Sequence, residues 1–106
     1  MTAARHNRER WDLSLFVAGK DHPNSRRAYA NLVRICEEHL SGEYSLNVID
    51  ISESPDAAAA EQLLALPTLV RRQPKPTRKI IGDLGDTDRV LISLGVKATG
   101  SPLLTA

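Results

Sequence analysis

Arg71, Arg72, Lys75, Arg78 and Lys79 crowd one stretch of chain, and no acidic residue stands between Glu61 and Asp83. Cations gathered like this serve recognition. They pull an acidic partner surface into register and speed association. The plainer reading is a solvated hairpin whose charges guard a sheet edge. Phosphate contact would suit the charge, but the cluster holds no aromatic for base stacking, so nucleic acid is the weaker partner class. The other chemistry-bearing residues form no site. Asp83 and Asp86 sit in Gly82-Asp83-Leu84-Gly85-Asp86 with no third ligand close in sequence, which fits a turn and a helix cap better than a metal. His6, His22 and His39 match no zinc spacing. Cys36 is the one cysteine, so neither an internal disulfide nor a CxxC pair is possible. Its place within a helical pattern marks it as a small core residue. No nucleophile–base pairing and no phosphate-binding glycine loop occurs. The chain therefore reads as a binding protein, with no catalytic residue, metal or cofactor implied.

The cations need a scaffold. Leu13 to Ala18 is apolar and β-prone, a central strand that Trp11 should help to start. Gly19 to Pro23 is a loop, after which Asn24 or Ser25 can cap a helix. Ala28, Leu32, Ile35, Cys36 and Leu40 form its apolar stripe, and Ser41-Gly42 closes it. Ser45 to Ile51 reads as a second strand, with Leu46, Val48 and Ile51 buried and Asn47 and Asp50 outward or at its end. A helix of about four turns joins the two strands, which makes them parallel. Ser54-Pro55-Asp56 starts a helix that runs through Ala57 to Leu64. Pro67 then stands at the mouth of a third strand, Thr68 to Arg72. Lacking an N–H, it must be that strand's first residue or lie on an edge. Gln73 to Pro76 turns into a fourth, antiparallel strand, Arg78 to Ile81. Asp86 caps a last helix with Val90, Leu91 and Leu94 on its apolar side, and Gly95 ends it.

The order is βαβ, α, ββα. At 106 residues the chain is one α/β domain, expected over residues 11–96. Residues 1–10 and 97–106 are expected to be a disordered and a flexible tail. A net charge of +1 excludes bulk electrostatic binding to nucleic acid or membrane. No apolar run approaches a membrane span, and residues 1–10 carry no secretory core, so a cytoplasmic location is expected.

A helix followed by Leu66-Pro67-Thr68 and a strand resembles the thioredoxin fold, which implies a cis Pro67 beside the start of the first helix. The redox cysteines of that fold are missing. More specific is a second likeness. Leu15-Phe16-Val17-Ala18-Gly19, Pro23-Asn24-Ser25, Asn31-Leu32, Ile35-Cys36-Glu37, Val48-Ile49-Asp50, Pro67-Thr68-Leu69 and Arg78-Lys79-Ile80-Ile81-Gly82-Asp83-Leu84 together resemble the KaiB family of circadian clock proteins. The likeness runs from about Trp11 to Leu94 in register, with one extra residue after Gly19. It implies a non-enzymatic regulator that binds the N-terminal ATPase ring of KaiC. The sensor domains of SasA-type histidine kinases are near relatives that compete for such a site. A signalling or stress-response adaptor that binds a kinase without a KaiC oscillator is the alternative.

The resemblance further implies metamorphism. The second half of the chain can pack as αββα in a thioredoxin-like monomer that binds KaiC, or as βααβ in a tetramer of order βαββααβ. Clock-type members carry Gly-Leu-Asp and then an aromatic near the end of the last helical segment. Here that place reads Ser93-Leu94-Gly95, and no aromatic follows Ala98. Ser93 suits a helix better than glycine, and Gly95 supplies a stop. The expected form is therefore thioredoxin-like, with Pro67, Ser93 and Gly95 as the residues that bear on the choice. Arg27, Arg71 and Arg78 match basic residues that face KaiC in the family, and Lys79 adjoins them. Asn47 stands where KaiB proteins usually carry lysine, which bears on partner choice. Partner-binding positions are thus Arg27, Asn47, Arg71, Arg78 and Lys79.

Overall fold

A computed structural model describes residues 11–40, 42–63 and 65–96. The elements are β1 (Trp11–Val17), α1 (Pro23–His39), β2 (Tyr44–Asp50), α2 (Pro55–Glu61), β3 (Thr68–Gln73), β4 (Arg78–Ile81) and α3 (Thr87–Leu94). The four strands form one sheet in the order β2-β1-β3-β4. β1 runs parallel to β2, as a helical crossover requires, and antiparallel to β3; β4 is antiparallel to β3. This is the expected thioredoxin-like α/β fold. The Leu66–Pro67 peptide is cis, as are Gln73–Pro74 and Lys75–Pro76. The expected tails, and the closing role of Ser41, lie outside the described residues.

Strand alternation sorts the side chains onto two faces. Trp11, Leu13, Leu15, Val17 and Leu69 join Ala28, Leu32, Ile35, Cys36 and Leu40 of α1 and Val90 and Leu94 of α3 in one core. The opposite face carries α2, which buries none of its residues. Polar links hold α2 there: Arg72 pairs with Glu61 at 2.7 Å and donates to Ser14 Oγ at 3.2 Å.

Local details depart from expectation for identifiable reasons. Asn24 and Ser25 do not cap α1. Pro23 occupies the first turn, so the cap moves back to His22, whose Nδ1 accepts from the Asn24 amide at 3.1 Å. Ser54 stands at the start of α2 but its side chain caps nothing, and α2 stops at Glu61 because Gln62 turns left-handed. Asp86 does cap α3, accepting from the Arg89 amide, and Gly95 ends it at φ 77°. Val48 was expected inside and is 39% exposed. β2 is an edge strand, and alternation does not guarantee that something covers the face it points to. Asp50 was expected outward or at the strand's end; it does end β2, and it is buried there. Its carboxylate accepts from the Gly19 and Lys20 amides, both at 2.9 Å, and from the amide and hydroxyl of Ser52. The Ser52 hydroxyl, with those amides, holds this carboxyl well below the usual carboxylate range. Asp50 thereby fixes the loop that delivers the chain into α1.

Candidate partner-binding surface

The basic cluster does not form one patch. Alternation sends Arg71 and Arg78 to the α3 side of the sheet and Arg72 and Lys79 to the α2 side. Lys79 donates to the Glu61 carbonyl at the end of α2 and is still exposed, as is Arg78. Arg71 departs from the expected role. It is only 4% exposed, and its guanidinium donates to the Leu94 carbonyl at 2.5 Å and to the Pro76 carbonyl at 2.6 Å. Its side chain is committed to the interior and is not presented to a partner. Burial, with the like charge of Arg78, pushes this guanidinium below its ordinary value. Arg78 reaches the neighbouring Ser93 carbonyl at 3.3 Å.

Two cations therefore meet the last carbonyls of α3, where the helix has no backbone donors left and where positive charge complements its dipole. α3 has eight residues and buries only Val90 and Leu94, so caps matter more to it than to a long helix. Gly95 belongs to the same assembly. A Cβ there would come within 3.2 Å of the Arg71 guanidinium, and its positive φ disfavours any side chain. The structure thus brings Arg71, Arg78, Ser93 and Gly95 into one latch, although spacing alone separates them into recognition and conformation.

Arg27 lies exposed on α1, with its guanidinium 3.0 Å from Asn24 Oδ1 and 3.9 Å from an Asp83 carboxylate oxygen. Beside it, Asn31 donates to the Asp83 carbonyl at 2.8 Å and ties the loop after β4 to α1. Pro67 accepts from the Gly82 amide at 3.0 Å and so meets that same loop. Asn47 is exposed on β2, the sheet edge opposite β4. Three strand steps separate them, about 14 Å at roughly 4.8 Å each. The structure therefore does not gather Asn47 with Arg78 and Lys79. Sequence reasoning gave neither Asp50 nor Asn31 a positioning role, because the loops they fix lie 30 residues or more away in the chain; only the Asp50–Ser52 pairing is local.

Cys36 is fully buried, and burial together with Glu37 pushes its thiol up to about 12. A neutral, enclosed thiol is no nucleophile at physiological pH. The position facing Pro67 across a small cleft is taken by His22, Asn24 and Ser25. Among the described residues no helix is long and apolar enough to cross a membrane.

Comparison with known proteins accords with this architecture. Residues 14–96 match the model of the KaiB domain. The circadian clock oscillator protein KaiB of Prochlorococcus marinus (strain MIT 9211) is 49% identical over 87 residues, 82% of this chain and 75% of that protein. The protein of the same name from Nostoc punctiforme is 51% identical over 82 residues, 77% of this chain and 78% of the relative. Among solved structures, the N-terminal domain of Synechococcus elongatus SasA superposes with a TM-score of 0.65 at 23% identity, covering 81% of this chain and 80% of that one. Mitochondrial thioredoxin 3 of Saccharomyces cerevisiae superposes at 0.63 and 19% identity, over 86% and 85% of the two chains. These last two likenesses concern the fold alone.

Proposed function

The chain belongs to the KaiB family, and on that premise we propose that it is a non-enzymatic regulator that binds the N-terminal ATPase ring of a KaiC-like protein. It acts as a thioredoxin-like monomer in the cytoplasm. The observation that carries this reading is the packing of the second half of the chain as α2-β3-β4-α3, the arrangement that the family resemblance links to KaiC binding. In this form Arg27, Arg78 and Lys79 stay exposed, and they are the cations we assign to an acidic partner surface. Asn47, on the far edge, is assigned to discrimination between partners. Arg71 supports the surface from within by holding α3. Metamorphism, with a tetrameric form as the alternative packing, is part of the same proposal.

The direct test is a calorimetric titration against the KaiC homologue of the same host, after prolonged incubation with ATP or ADP. Binding is expected, and Arg27→Glu should weaken it, since that side chain is exposed and its loss disturbs no core contact. No detectable binding would sink the reading. A second reading has support in the likeness to the SasA N-terminal domain: an adaptor that docks on a histidine kinase with no KaiC oscillator. Capture of a kinase in place of a KaiC homologue would favour it.

A further inference from the structure

β4 is an outer strand of the sheet, and among the described residues no strand pairs with its far side. One bond fixes the direction of its free groups. The Gly82 amide donates to the Pro67 carbonyl at 3.0 Å, in line with the register that sets Ile81 against Thr68 and Ile80 against Leu69. Bonded residues alternate along an antiparallel pair. Arg78 and Ile80 therefore bond inward to β3, and the amides and carbonyls of Lys79 and Ile81 point outward. No turn or loop bond reaches these four groups.

Edges are ordinarily guarded by charge or by a bulge. The β3–β4 register is unbroken. The Lys79 ammonium is drawn over the α2 side to the Glu61 carbonyl and does not lie across the edge. Ile81, the other outward-facing position, is 57% exposed. An isoleucine beside open backbone groups invites a strand instead of repelling one.

Charge selects that strand. Arg78, Lys79 and Lys75 are exposed, and no acidic residue lies between Glu61 and Asp83. A second copy of β4 would bring more cations and no counter-charge. On the α3 side a groove of about 200 Å³ adjoins the edge, lined by Ile80, Leu84 and Val90 together with Asp83, Asp86 and Arg89. A side chain entering it meets apolar walls and two carboxylates, so an acid is disfavoured at that one position.

We propose that β4 captures an extended acidic segment of a partner protein as an added antiparallel strand. Directly opposed residues share a face of the sheet. The segment therefore reads apolar, apolar, acidic, acidic. Its first residue lies opposite Ile81, the second enters the groove opposite Ile80, the third meets Lys79 and the fourth meets Arg78. This deepens the reading of Arg78 and Lys79 as partner-facing cations, on which it rests, and adds the mode of docking.

The test is an amide-shift titration of the intact chain with the end-blocked peptide Thr-Val-Val-Glu-Glu-Thr. The controls are the rearranged Thr-Val-Glu-Val-Glu-Thr, the basic Thr-Val-Val-Lys-Lys-Thr, and the first peptide N-methylated at its first valine and first glutamate, which would bond Ile81 and Lys79. The first peptide should give saturable shifts centred on residues 78–82, with a Kd on the order of 1 mM, as four net hydrogen bonds supply. The rearranged and N-methylated peptides should bind about tenfold more weakly, and the basic peptide not measurably. Ile81→Lys, at an exposed position, should fold normally and weaken the first peptide about fivefold by removing a cross-strand apolar pair. Equal binding of any control would overturn the proposal. So would shifts centred on β2, an unchanged Kd in Ile81→Lys, no saturable shift, or shifts at 78–82 that grow with the concentration of the chain alone. The KaiC titration is read separately: KaiC binding without peptide binding sinks strand capture alone, and peptide binding without KaiC binding sinks the KaiC reading alone.

Discussion

Replacing Arg71 by methionine keeps most of the aliphatic stem and removes the guanidinium. The Leu94 carbonyl then loses a buried, charge-assisted donor, a loss of about 1.5–3 kcal/mol. The Pro76 carbonyl is nearer water, so its loss is closer to 1 kcal/mol. Against these stands relief from burying a cation whose Nε has no partner, a desolvation term of the same kind and opposite sign. The balance is a destabilisation of about 2 kcal/mol, a large share of the roughly 5–15 kcal/mol available to a domain. For a domain of this size that lowers Tm by roughly 8–16 °C. Trp11 is the single tryptophan and is fully buried, so its fluorescence reports urea unfolding directly. The midpoint should fall with the slope unchanged. Hydrogen exchange should place the damage at the Gly95 and Val96 amides, which close the end of α3 on the Leu91 carbonyl. A stability change below about 0.5 kcal/mol, within the range of ordinary surface substitutions, would refute the latch.

Gly95→Ala should destabilise by about 1–2 kcal/mol, since alanine is strained at φ 77° and its Cβ presses on Arg71; combined with Arg71→Met the two effects should fall short of additive, which a double-mutant cycle in urea measures. The Cys36 thiol, pushed to about 12, should resist a disulfide reagent at pH 8 in the native protein and react fully once urea unfolds it. Asp50 has a depressed folded value, so the stability it contributes is present above the ordinary carboxylate range and is lost as pH falls below it. The Gly19 and Lys20 amide shifts should accordingly show no inflection where a free aspartate titrates, and Asp50→Asn should loosen that loop in hydrogen exchange.

Much of this fold was legible because its signals are local. A four-turn helix between two apolar strands dictates a parallel pair, Pro67 marks the mouth of β3, and Asp86 and Gly95 bracket α3. What escaped depends on neighbours distant in sequence. Arg71 reads as a surface cation until α3 is laid across it and offers the Leu94 carbonyl. Asp50 reads as a strand end until the loop after β1 turns its amides inward. Val48 keeps the alternation of a buried residue, but it lies on an edge strand beside an open groove. Alternation identifies which side chains share a face; it does not identify what packs against that face. The cations at 71–79 were legible as a cluster that strand alternation splits between two faces; the burial of Arg71 against α3 was not, because it depends on the Leu94 carbonyl 23 residues away.

The measurement that bears most directly on the account is the set of carbon secondary chemical shifts from Asp86 to Leu94, taken with a diffusion rate on the same sample. Helical shifts throughout and the diffusion of a monomer are the predicted result, because they describe α3 latched by Arg71 and Arg78 beneath an exposed basic surface. Strand-like shifts with the diffusion of a tetramer would contradict it.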